Sequence, residues 1–303
     1  MSTYMDGVFM KTIGFIGLGI MGSPMAANLV AAGFVVTGHT RSRSGLDRLT
    51  AAGGRAAGSV AEAVAGADAV ITMLPDSPDV EAVLLGPDGV LAHAAPGTLV
   101  IDMSTISPGA ARSLAGRAVG LRVLDAPVSG GEKGAVDATL SIMVGGSAED
   151  VAAARPVLEA LGTTIVHVGP AGAGQTVKAA NQLVVAGTIQ LVAEAIVLLE
   201  ASGVDTAAGL RVLAGGLAGS TVLDRRAASM LAREFTPGFR VDLHHKDLGI
   251  MLEAAREASA VVPVGALVAQ LIAALRAGGD GGLDHTALLR LTERLSGRGR
   301  GDV

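Results

Sequence analysis

A single lysine interrupts a long stretch of this chain that is otherwise without charge. Lys178 is the only charged residue between Glu159 and Glu194. Because burying an unpaired ammonium costs several kcal/mol or drives off its proton, a lysine in this setting is a candidate proton donor. On a helix, Asn181 and Gln182 follow it by three and four residues and share its face. The spacing predicts an amine held by two amides, which suits general acid–base catalysis.

A serine followed by two glycines forms a second candidate site. Ser129, Gly130 and Gly131 come shortly after a strand-like run that ends at Asp125. A hydroxyl together with exposed backbone N–H groups suits the binding of a carboxylate, although a plain glycine turn would have the same residues. Ser129 does not match a G-x-S-x-G nucleophile, because Pro127 stands where the first glycine belongs.

A G-x-G-x-x-G fingerprint lies near the start of the chain. It follows a strand-like run, Thr12 to Ile16, and opens a helical one. In a chain with 43 glycines the motif alone is also compatible with an ordinary strand-to-helix turn. The preceding strand and the following helix favour a dinucleotide site, in which the helix N-terminus faces the pyrophosphate. The predicted cofactor contacts here are Gly17, Leu18, Gly19, Ile20, Met21 and Gly22.

The end of the next strand-like run lacks the carboxylate that commonly binds the ribose hydroxyls of NAD. The chain there contains Thr40, Arg41, Ser42 and a further arginine, Arg43. A guanidinium can neutralise a 2′-phosphate, and the hydroxyls can donate hydrogen bonds to it. The segment therefore predicts NADP(H) as the preferred cofactor, with NAD(H) possible; a solvated basic loop is the other interpretation.

Two further strand ends are expected to line the cofactor crevice, because ligands of open α/β sheets bind beyond the carboxyl ends of the strands. Met73 and Leu74 end one strand-like run, and Thr105 follows another. We expect Met73 and Leu74 on the adenine and pyrophosphate side and Thr105 at the nicotinamide. Ordinary strand-to-helix loops would also account for these three residues.

An alternation of β-type and Ala-rich helical runs predicts the elements that position these residues. Residues 1–172 are expected to form an α/β, Rossmann-type doubly wound sheet that binds NADP. Residues 173–303 are expected to form an all-α domain for substrate binding and oligomerisation. A nearly uncharged helix from Gln175 to Ser202, about 40 Å long, would join them. Its apolar surface predicts burial between the domains or against a second copy, and hence a homodimer or homotetramer.

Composition and charge exclude several classes of function. Five Phe, one Tyr, no Trp and a net charge of -5 leave neither stacking surfaces nor a basic field for nucleic acid. The absence of Cys excludes disulfides and thiolate catalysis, and the six histidines, including adjacent His244 and His245, suggest no metal site. No signal-peptide pattern is present, and the apolar runs 183–192 and 261–275 are too short for a bilayer of about 30 Å. A soluble cytoplasmic protein without membrane or nucleic-acid partners is expected.

Four motifs in order resemble the β-hydroxyacid dehydrogenases, the 3-hydroxyisobutyrate dehydrogenase family. They are the glycine fingerprint, the segment from Asp125 to Gly131, the segment 172–182 and the segment 245–248. The resemblance covers nearly the whole chain. It implies that Lys178 is the catalytic acid/base and that the serine and two glycines hold the substrate carboxylate with Asn181.

The same resemblance implies roles for residues that the patterns alone do not single out. Thr105 and Lys246 would contact the cofactor, Phe239 would lie near the nicotinamide end, and Asp247 would help to close the site. Asn181 and Gln182 would hold the amine and the substrate in register. Without the resemblance, Lys246 would be a plain surface lysine, and Asp247 a first-turn carboxylate favoured by the helix dipole.

Within this family, the segments 129–135 and 139–146 look most like the tartronate semialdehyde (2-hydroxy-3-oxopropionate) reductases. The predicted reaction is the reversible, NADPH-dependent reduction of a small 3-oxo acid, tartronate semialdehyde to glycerate, with Lys178 as general acid/base. The alternatives are a dehydrogenase of 3-hydroxyisobutyrate or another β-hydroxyacid or semialdehyde, and an enzyme like the imine reductases. A non-catalytic NADP-binding sensor is a further alternative, against which the lysine with both amides argues, because a sensor needs no proton donor.

Overall fold

The computed structural model describes residues 10–298, so the outermost parts of both predicted domains, 1–9 and 299–303, lie outside the described residues. The chain divides into two compact units, the first ending at Lys178 and the second starting at Ala179. The predicted boundary after residue 172, and the division of roles between the domains, stay predictions.

Within the described residues, nine strands of the first unit form one sheet. They are β1 Thr12–Ile16, β2 Val35–His39, β3 Arg55–Ala56, β4 Ala69–Thr72, β5 Leu99–Asp102, β6 Arg122–Asp125, β7 Val128–Ser129, β8 Leu140–Gly145 and β9 Gly162–Gly169. The sheet order is β3-β2-β1-β4-β5-β6-β8-β7, and β9 pairs with β8. The pairs from β3 to β6 are all parallel, whereas β8 runs antiparallel to β6 and β7. The predicted α/β class with a mainly parallel sheet is confirmed.

Helices cover both faces of this sheet. They are α1 Gly22–Ala31, α2 Arg43–Ala51, α3 Val60–Val64, α4 Ser77–Leu85, α5 Val90–His93, α6 Pro108–Arg117, α7 Gly131–Val136 and α8 Ala148–Glu159. All four residues of β4 and of β5 are buried, as expected for central strands that are covered on both sides. Apolar side chains of alternating direction form one core on each face. The carboxyl ends of these strands are thereby held in fixed register.

The second unit is helical. A long helix, α9 Ala173–Ala201, begins in the first unit and continues into the second; the others are α10 Thr206–Ala214, α11 Thr221–Ala232, α12 Val241–Glu257, α13 Pro263–Leu275 and α14 Leu288–Leu295, with a π-helical segment Arg276–Asp280 and a 3-10 turn His285–Ala287. Buried Ile189, Ile196 and Ile272 contribute to its core. The predicted helical character of the second half is confirmed.

The helix α9 corrects one expectation. At 29 residues it is long and apolar enough to cross a membrane by length and composition, whereas the run 183–192 alone was judged too short. The helix extends beyond this run at both ends, from Ala173 to Ala201, so the length of the run does not set the length of the helix. Half of its most apolar window is buried inside the protein.

Candidate active site

The glycine fingerprint forms the turn between β1 and α1. Gly17 has a φ of +101°, and a Cβ there would lie 2.3 Å from the carbonyl oxygen of Met73 and 3.0 Å from a methyl carbon of Leu74. A Cβ on Gly22 would lie 1.9 Å from the carbonyl oxygen of Gly17. Only glycine fits either position, and the predicted pair Met73 and Leu74 packs directly against this turn.

The middle of the fingerprint is open. A Cβ on Gly19 would meet nothing within 4 Å, and Gly19 and Ile20 are exposed while Leu18 is buried. The first turn of α1 carries no acidic residue, so the positive end of its dipole is not neutralised locally. Open backbone at an uncompensated helix N-terminus fits the pyrophosphate of a dinucleotide.

The basic segment lies next to this turn. Arg41 is exposed just beyond β2, and Ser42 is the N-terminal flanking residue of α2. A Cβ on Gly45 would lie 2.5 Å from the carbonyl oxygen of Leu18 and 3.0 Å from Thr40 Cγ2. The start of α2 therefore touches the fingerprint, which brings the guanidinium and hydroxyls to the end of β2 where a ribose phosphate is expected.

A buried carboxylate that was not predicted ends β5. Asp102 Oδ1 accepts hydrogen bonds from Thr72 Oγ1 at 2.8 Å and from the Ser104 backbone N–H at 3.2 Å. Burial raises the pKa of Asp102 to about 6, and the neighbouring charge of Asp125 adds to this effect. The Ser104 hydroxyl accepts the Leu74 N–H at 2.9 Å. The carboxylate thus orders the two loops on which Leu74 and Thr105 lie.

The segment predicted to bind a carboxylate joins β7 to α7. Ser129 and Gly130 are half-buried and Gly131 is exposed, so all three are accessible. Gly130 has a φ of +143° and Gly131 a φ of +66°, in the region that favours glycine. Successive glycines of this kind turn backbone N–H groups outward, which suits an anion.

The lysine lies against the same segment. Lys178 is only 7% exposed, and its Nζ donates a 2.7 Å hydrogen bond to the carbonyl oxygen of Val128, the residue before Ser129. The structure therefore brings the predicted proton donor beside the predicted carboxylate cradle. Their roles in catalysis stay predictions.

Four of the predicted residues form a hydrogen-bonded chain in the second unit. Asn181 Nδ2 donates to Gln182 Oε1 at 2.9 Å, and Gln182 Nε2 donates to Asp247 Oδ2 at 2.6 Å. Lys246 Nζ lies 3.1 Å from Asp247 Oδ1. Asp247 is 3% exposed, so its charge is shielded from water and compensated by these partners. The chain links α9 to α12.

Phe239, the remaining predicted residue, packs elsewhere in the second unit. Its backbone N–H donates to Asp284 Oδ2 at 3.0 Å, and its ring lies edge-on to His244 and His285. The two histidine Nδ1 atoms are 2.9 Å apart. Burial holds the pKa of His285 well below its ordinary value, so this imidazole is neutral near pH 7. His244 is thus a buried, hydrogen-bonded histidine.

Sequence reasoning missed several polar residues that hold these groups in place. These residues are Asp102, Asp284, Asp125 and Gln175, of which Gln175 is only 1% exposed. Asp125 lies in one of the four motifs, but the motif does not indicate which groups it contacts. The available signal was a lone polar residue at the end of an apolar strand or inside an uncharged helix. Among the described residues, no group of three or more His, Cys, Asp or Glu has an arrangement that could hold a metal ion.

Comparisons with known proteins show to which family the two parts of the chain are similar. Residues 12–169 match the family model for the NAD-binding domain of 6-phosphogluconate dehydrogenase. Residues 172–292 match the model described as NAD-binding of NADP-dependent 3-hydroxyisobutyrate dehydrogenase. Together the two matches span most of the chain.

Individual relatives match over nearly their whole length. The NAD-dependent L-serine dehydrogenase of Pseudomonas aeruginosa is 42% identical over 95% of this chain and 100% of the relative. The 2-hydroxy-3-oxopropionate reductase of Escherichia coli is 39% identical over 94% of this chain and 98% of the relative. The solved structure of 3-hydroxyisobutyrate dehydrogenase from Mycobacterium tuberculosis with L-serine has a TM-score of 0.83 and 41% identity, covering 92% of this chain and 98% of that one.

Fold and site thus define a nicotinamide-dependent oxidoreductase with an α/β first unit and a helical second unit. The chain belongs to the β-hydroxyacid dehydrogenase family, and it is an NAD(P)-dependent enzyme of hydroxy acids or their semialdehydes. The resemblance read from the four motifs is confirmed. The particular substrate differs among the relatives.

Proposed function

We propose that this enzyme reversibly reduces tartronate semialdehyde to glycerate with NADPH, using Lys178 as general acid/base. One observation carries the assignment of the lysine: its buried Nζ donates to the Val128 carbonyl oxygen at 2.7 Å, immediately before the Ser129 segment. A buried amine beside an anion cradle can meet the oxygen on the β-carbon, which one carbon separates from the bound carboxylate. The similarity to the Escherichia coli 2-hydroxy-3-oxopropionate reductase supports the choice of substrate.

In reduction, the Lys178 ammonium would donate a hydrogen bond to the carbonyl oxygen and then protonate the nascent alkoxide. In oxidation, the neutral amine would remove the proton of the hydroxyl. When bound, the nicotinamide supplies or accepts the hydride. The acceptor at Val128 keeps the amine in one orientation, which lowers the entropic cost of reaching the reacting oxygen.

The substrate carboxylate would rest on the backbone N–H groups of Ser129, Gly130 and Gly131, with Asn181 as an additional donor. Support comes from the glycine conformations and from their exposure. Asp247 fixes the orientation of the Gln182 amide, whose oxygen accepts from Asn181. The second Asn181 N–H is thereby directed by a chain of hydrogen bonds rather than by a flexible side chain alone.

The preference for NADPH rests on Arg41, with Thr40 and Ser42 as hydroxyl donors. The strand before it ends without a carboxylate that would repel a 2′-phosphate. We propose that Thr105, Phe239 and Lys246 contact the cofactor, as the family resemblance implies. One similar relative is named as NAD-dependent, so NADH is the alternative cofactor.

We also propose that the enzyme is a cytoplasmic homodimer or homotetramer. Val184, Leu191 and Leu198 of α9 lie seven residues apart and are each more than 60% exposed. Val264 and Leu267 of α13 are exposed as well, and α13 packs on α9 near Gly187. A continuous apolar surface of this kind is expected to be covered by a second copy.

A second candidate function is the oxidation of L-serine. The 42% identity to a protein named L-serine dehydrogenase favours it, as does the solved relative with L-serine. L-serine and glycerate share the carboxylate and the hydroxyl that is oxidised, and they differ in an ammonium at the intervening carbon. The same lysine and cradle would serve both.

One experiment tests the reaction and the role of Lys178 together. Initial rates with tartronate semialdehyde, L-serine and 3-hydroxyisobutyrate give kcat/KM for each substrate, and the first is expected to be highest. Lys178→Met should lower turnover by about 100-fold or more, since it removes the general acid, while NADPH binding is retained. Near-normal turnover in this variant would refute the assignment of the lysine. A higher kcat/KM for L-serine would favour the second candidate.

A further inference from the structure

One buried carboxylate, Asp125, accepts hydrogen bonds from the start of the helix that carries Lys178 and lies three residues before Val128, the acceptor of the Lys178 hydrogen bond. We propose that Asp125, assisted by Gln175, is a positioning residue that sets the location of the Lys178 amine relative to the Ser129 segment. The inference rests on the proposed function of Lys178. It assigns a catalytic consequence to two residues that do not themselves touch the substrate.

The carboxylate of Asp125 caps the start of α9. Oδ1 accepts the backbone N–H of Gly172 at 2.7 Å, and Oδ2 accepts that of Gln175 at 2.9 Å. The first N–H groups of a helix have no partner within the helix, so a carboxylate there satisfies them and complements the helix dipole. Gly145 and Gly174 pack directly against the carboxylate of Asp125, so the side chain has little freedom to move. A Cβ atom on Gly145 would lie 2.4 Å from one carboxylate oxygen, and a Cβ atom on Gly174 would lie 2.8 Å from the other.

Gln175 holds the same turn of α9 to a second strand end. Its Nε2 donates to the carbonyl oxygen of Ser104 at 2.8 Å, and its Oε1 accepts the N–H of Ile106 at 3.2 Å. Thr105, the predicted nicotinamide contact, lies between these two anchored residues. The start of α9 is therefore fixed to the ends of both β5 and β6.

Lys178 follows Gln175 by less than one turn of helix. Its acceptor, the carbonyl oxygen of Val128, lies three residues after Asp125 in the chain. The Asp125 side chain therefore sets where the amine lies relative to its acceptor. A shift of α9 against β6 would move the amine away from the Ser129 segment. Displacements of about 1 Å from residues outside the chemistry can cost about 100-fold in rate.

Asp125→Asn tests the proposal with little change in volume. The substitution replaces one carboxylate oxygen, which accepts a backbone N–H of Gly172 or Gln175, with an amide NH₂ group that cannot accept it. One hydrogen bond at the start of α9 is lost, and the helix is free to shift. We expect kcat to fall about 10- to 100-fold, with the KM for the substrate and the Kd for NADPH changed much less.

Asp68→Asn is the matched control, because Asp68 Oδ2 accepts the backbone N–H groups of Lys11 and Thr12 at 2.8 and 2.9 Å, at the amino ends of β1 and β4. It should alter Tm and leave kcat unchanged. An equal fall in kcat for both variants would mean general destabilisation and would overturn the proposal.

Gln175→Met provides a second variant that keeps the volume and removes both side-chain hydrogen bonds. It should also lower kcat, and it keeps the proposal testable if the Asp125 variant does not fold. Wild-type kcat in Gln175→Met and in any folded Asp125→Asn protein would overturn the positioning role.

A double-mutant cycle with Lys178→Met separates positioning from other effects. If Asp125 acts through the lysine, Asp125→Asn should cause no further loss of single-turnover rate in the Lys178→Met background. Multiplicative losses would overturn the proposal. Should Lys178→Met alone keep wild-type turnover, the proposed function fails instead, so the two failures are distinguishable.

Discussion

Arg41 is the residue on which cofactor choice depends most directly. It is exposed next to the glycine turn, where its guanidinium can reach a 2′-phosphate without being held by a buried partner. A bidentate contact between guanidinium and phosphate is among the stronger hydrogen-bonding interactions available to a protein. The 2′-phosphate is the only chemical difference between the two candidate cofactors, so this contact acts on one of them alone.

Arg41→Ala should raise the KM for NADPH about 10- to 100-fold, as expected for the loss of a charged hydrogen bond, and leave the KM for NADH nearly unchanged. Steady-state kinetics with both cofactors measures the effect. Arg48→Ala is the control, since Arg48 is an exposed arginine of α2, the helix that follows Arg41. A wild-type enzyme that favours NADH would contradict the interpretation of the basic segment.

Single residues differ in how far the sequence predicts them. Lys178 was identified because its neighbours along the chain are uncharged, and that property is local. Asp125 and Asp102 were not assigned roles, because their partners lie far along the chain: Gly172 is 47 residues from Asp125, and Thr72 is 30 residues from Asp102. A buried carboxylate is informative only once the groups that compensate it are known.

Among the elements, the turn between β1 and α1 contains two glycines that are needed for different reasons, one for the fold and one for a ligand. Gly17 needs its positive φ and the space against the Met73 carbonyl, so it is required by the fold. Gly19 faces open space, so any requirement for it comes from a ligand. The motif pattern alone treats the two glycines alike.

Gly17→Ala should destabilise the protein by several kcal/mol, because strain at positive φ adds to a backbone clash. Gly19→Ala should leave Tm within about 2 °C of wild type but weaken NADPH binding at least 10-fold, since the methyl group would occupy the space of the pyrophosphate. Thermal denaturation and fluorescence titration with NADPH measure both effects. Wild-type affinity in Gly19→Ala would rule out this placement of the pyrophosphate.

The elements themselves were largely predictable. Strand β1 and helix α9 follow from local patterns within a few residues: Thr12–Ile16 as predicted, and Ala173–Ala201 where Gln175 to Ser202 was expected. The two-residue strands β3 and β7 were not foreseen, since two residues show no alternation. The antiparallel direction of β8 depends on its pairing with β6 and β7, which no local pattern contains.

At the scale of the whole molecule, the apolar stripe of α9 raises the question of assembly. Val184, Leu191 and Leu198 recur every seven residues, which keeps them on one side of the helix. An isolated chain would leave this stripe in water, at a cost of roughly 25 cal/mol per Å² of apolar surface. Association between copies would remove that cost.

Val184→Glu should therefore dissociate the oligomer, because it places a charge in an apolar interface. Light scattering coupled to size-exclusion chromatography gives the mass directly. Val212→Glu is the matched control, since Val212 is 76% exposed on α10, outside the stripe. An oligomer that persists in Val184→Glu, or a wild-type monomer, would show that α9 is not the interface.

Residue type and short-range spacing are enough to predict the family, the α/β and helical halves, the glycine turn and the candidate lysine. The partners of the buried charged groups depend instead on how the elements pack: Val128 for Lys178, Gly172 and Gln175 for Asp125, and Gln182 for Asp247, which is 65 residues away. Such pairings arise when separate strands and helices pack and exclude water, and a buried polar group then bonds whatever the fold brings within 3 Å of it. Spacing along the chain does not encode that distance.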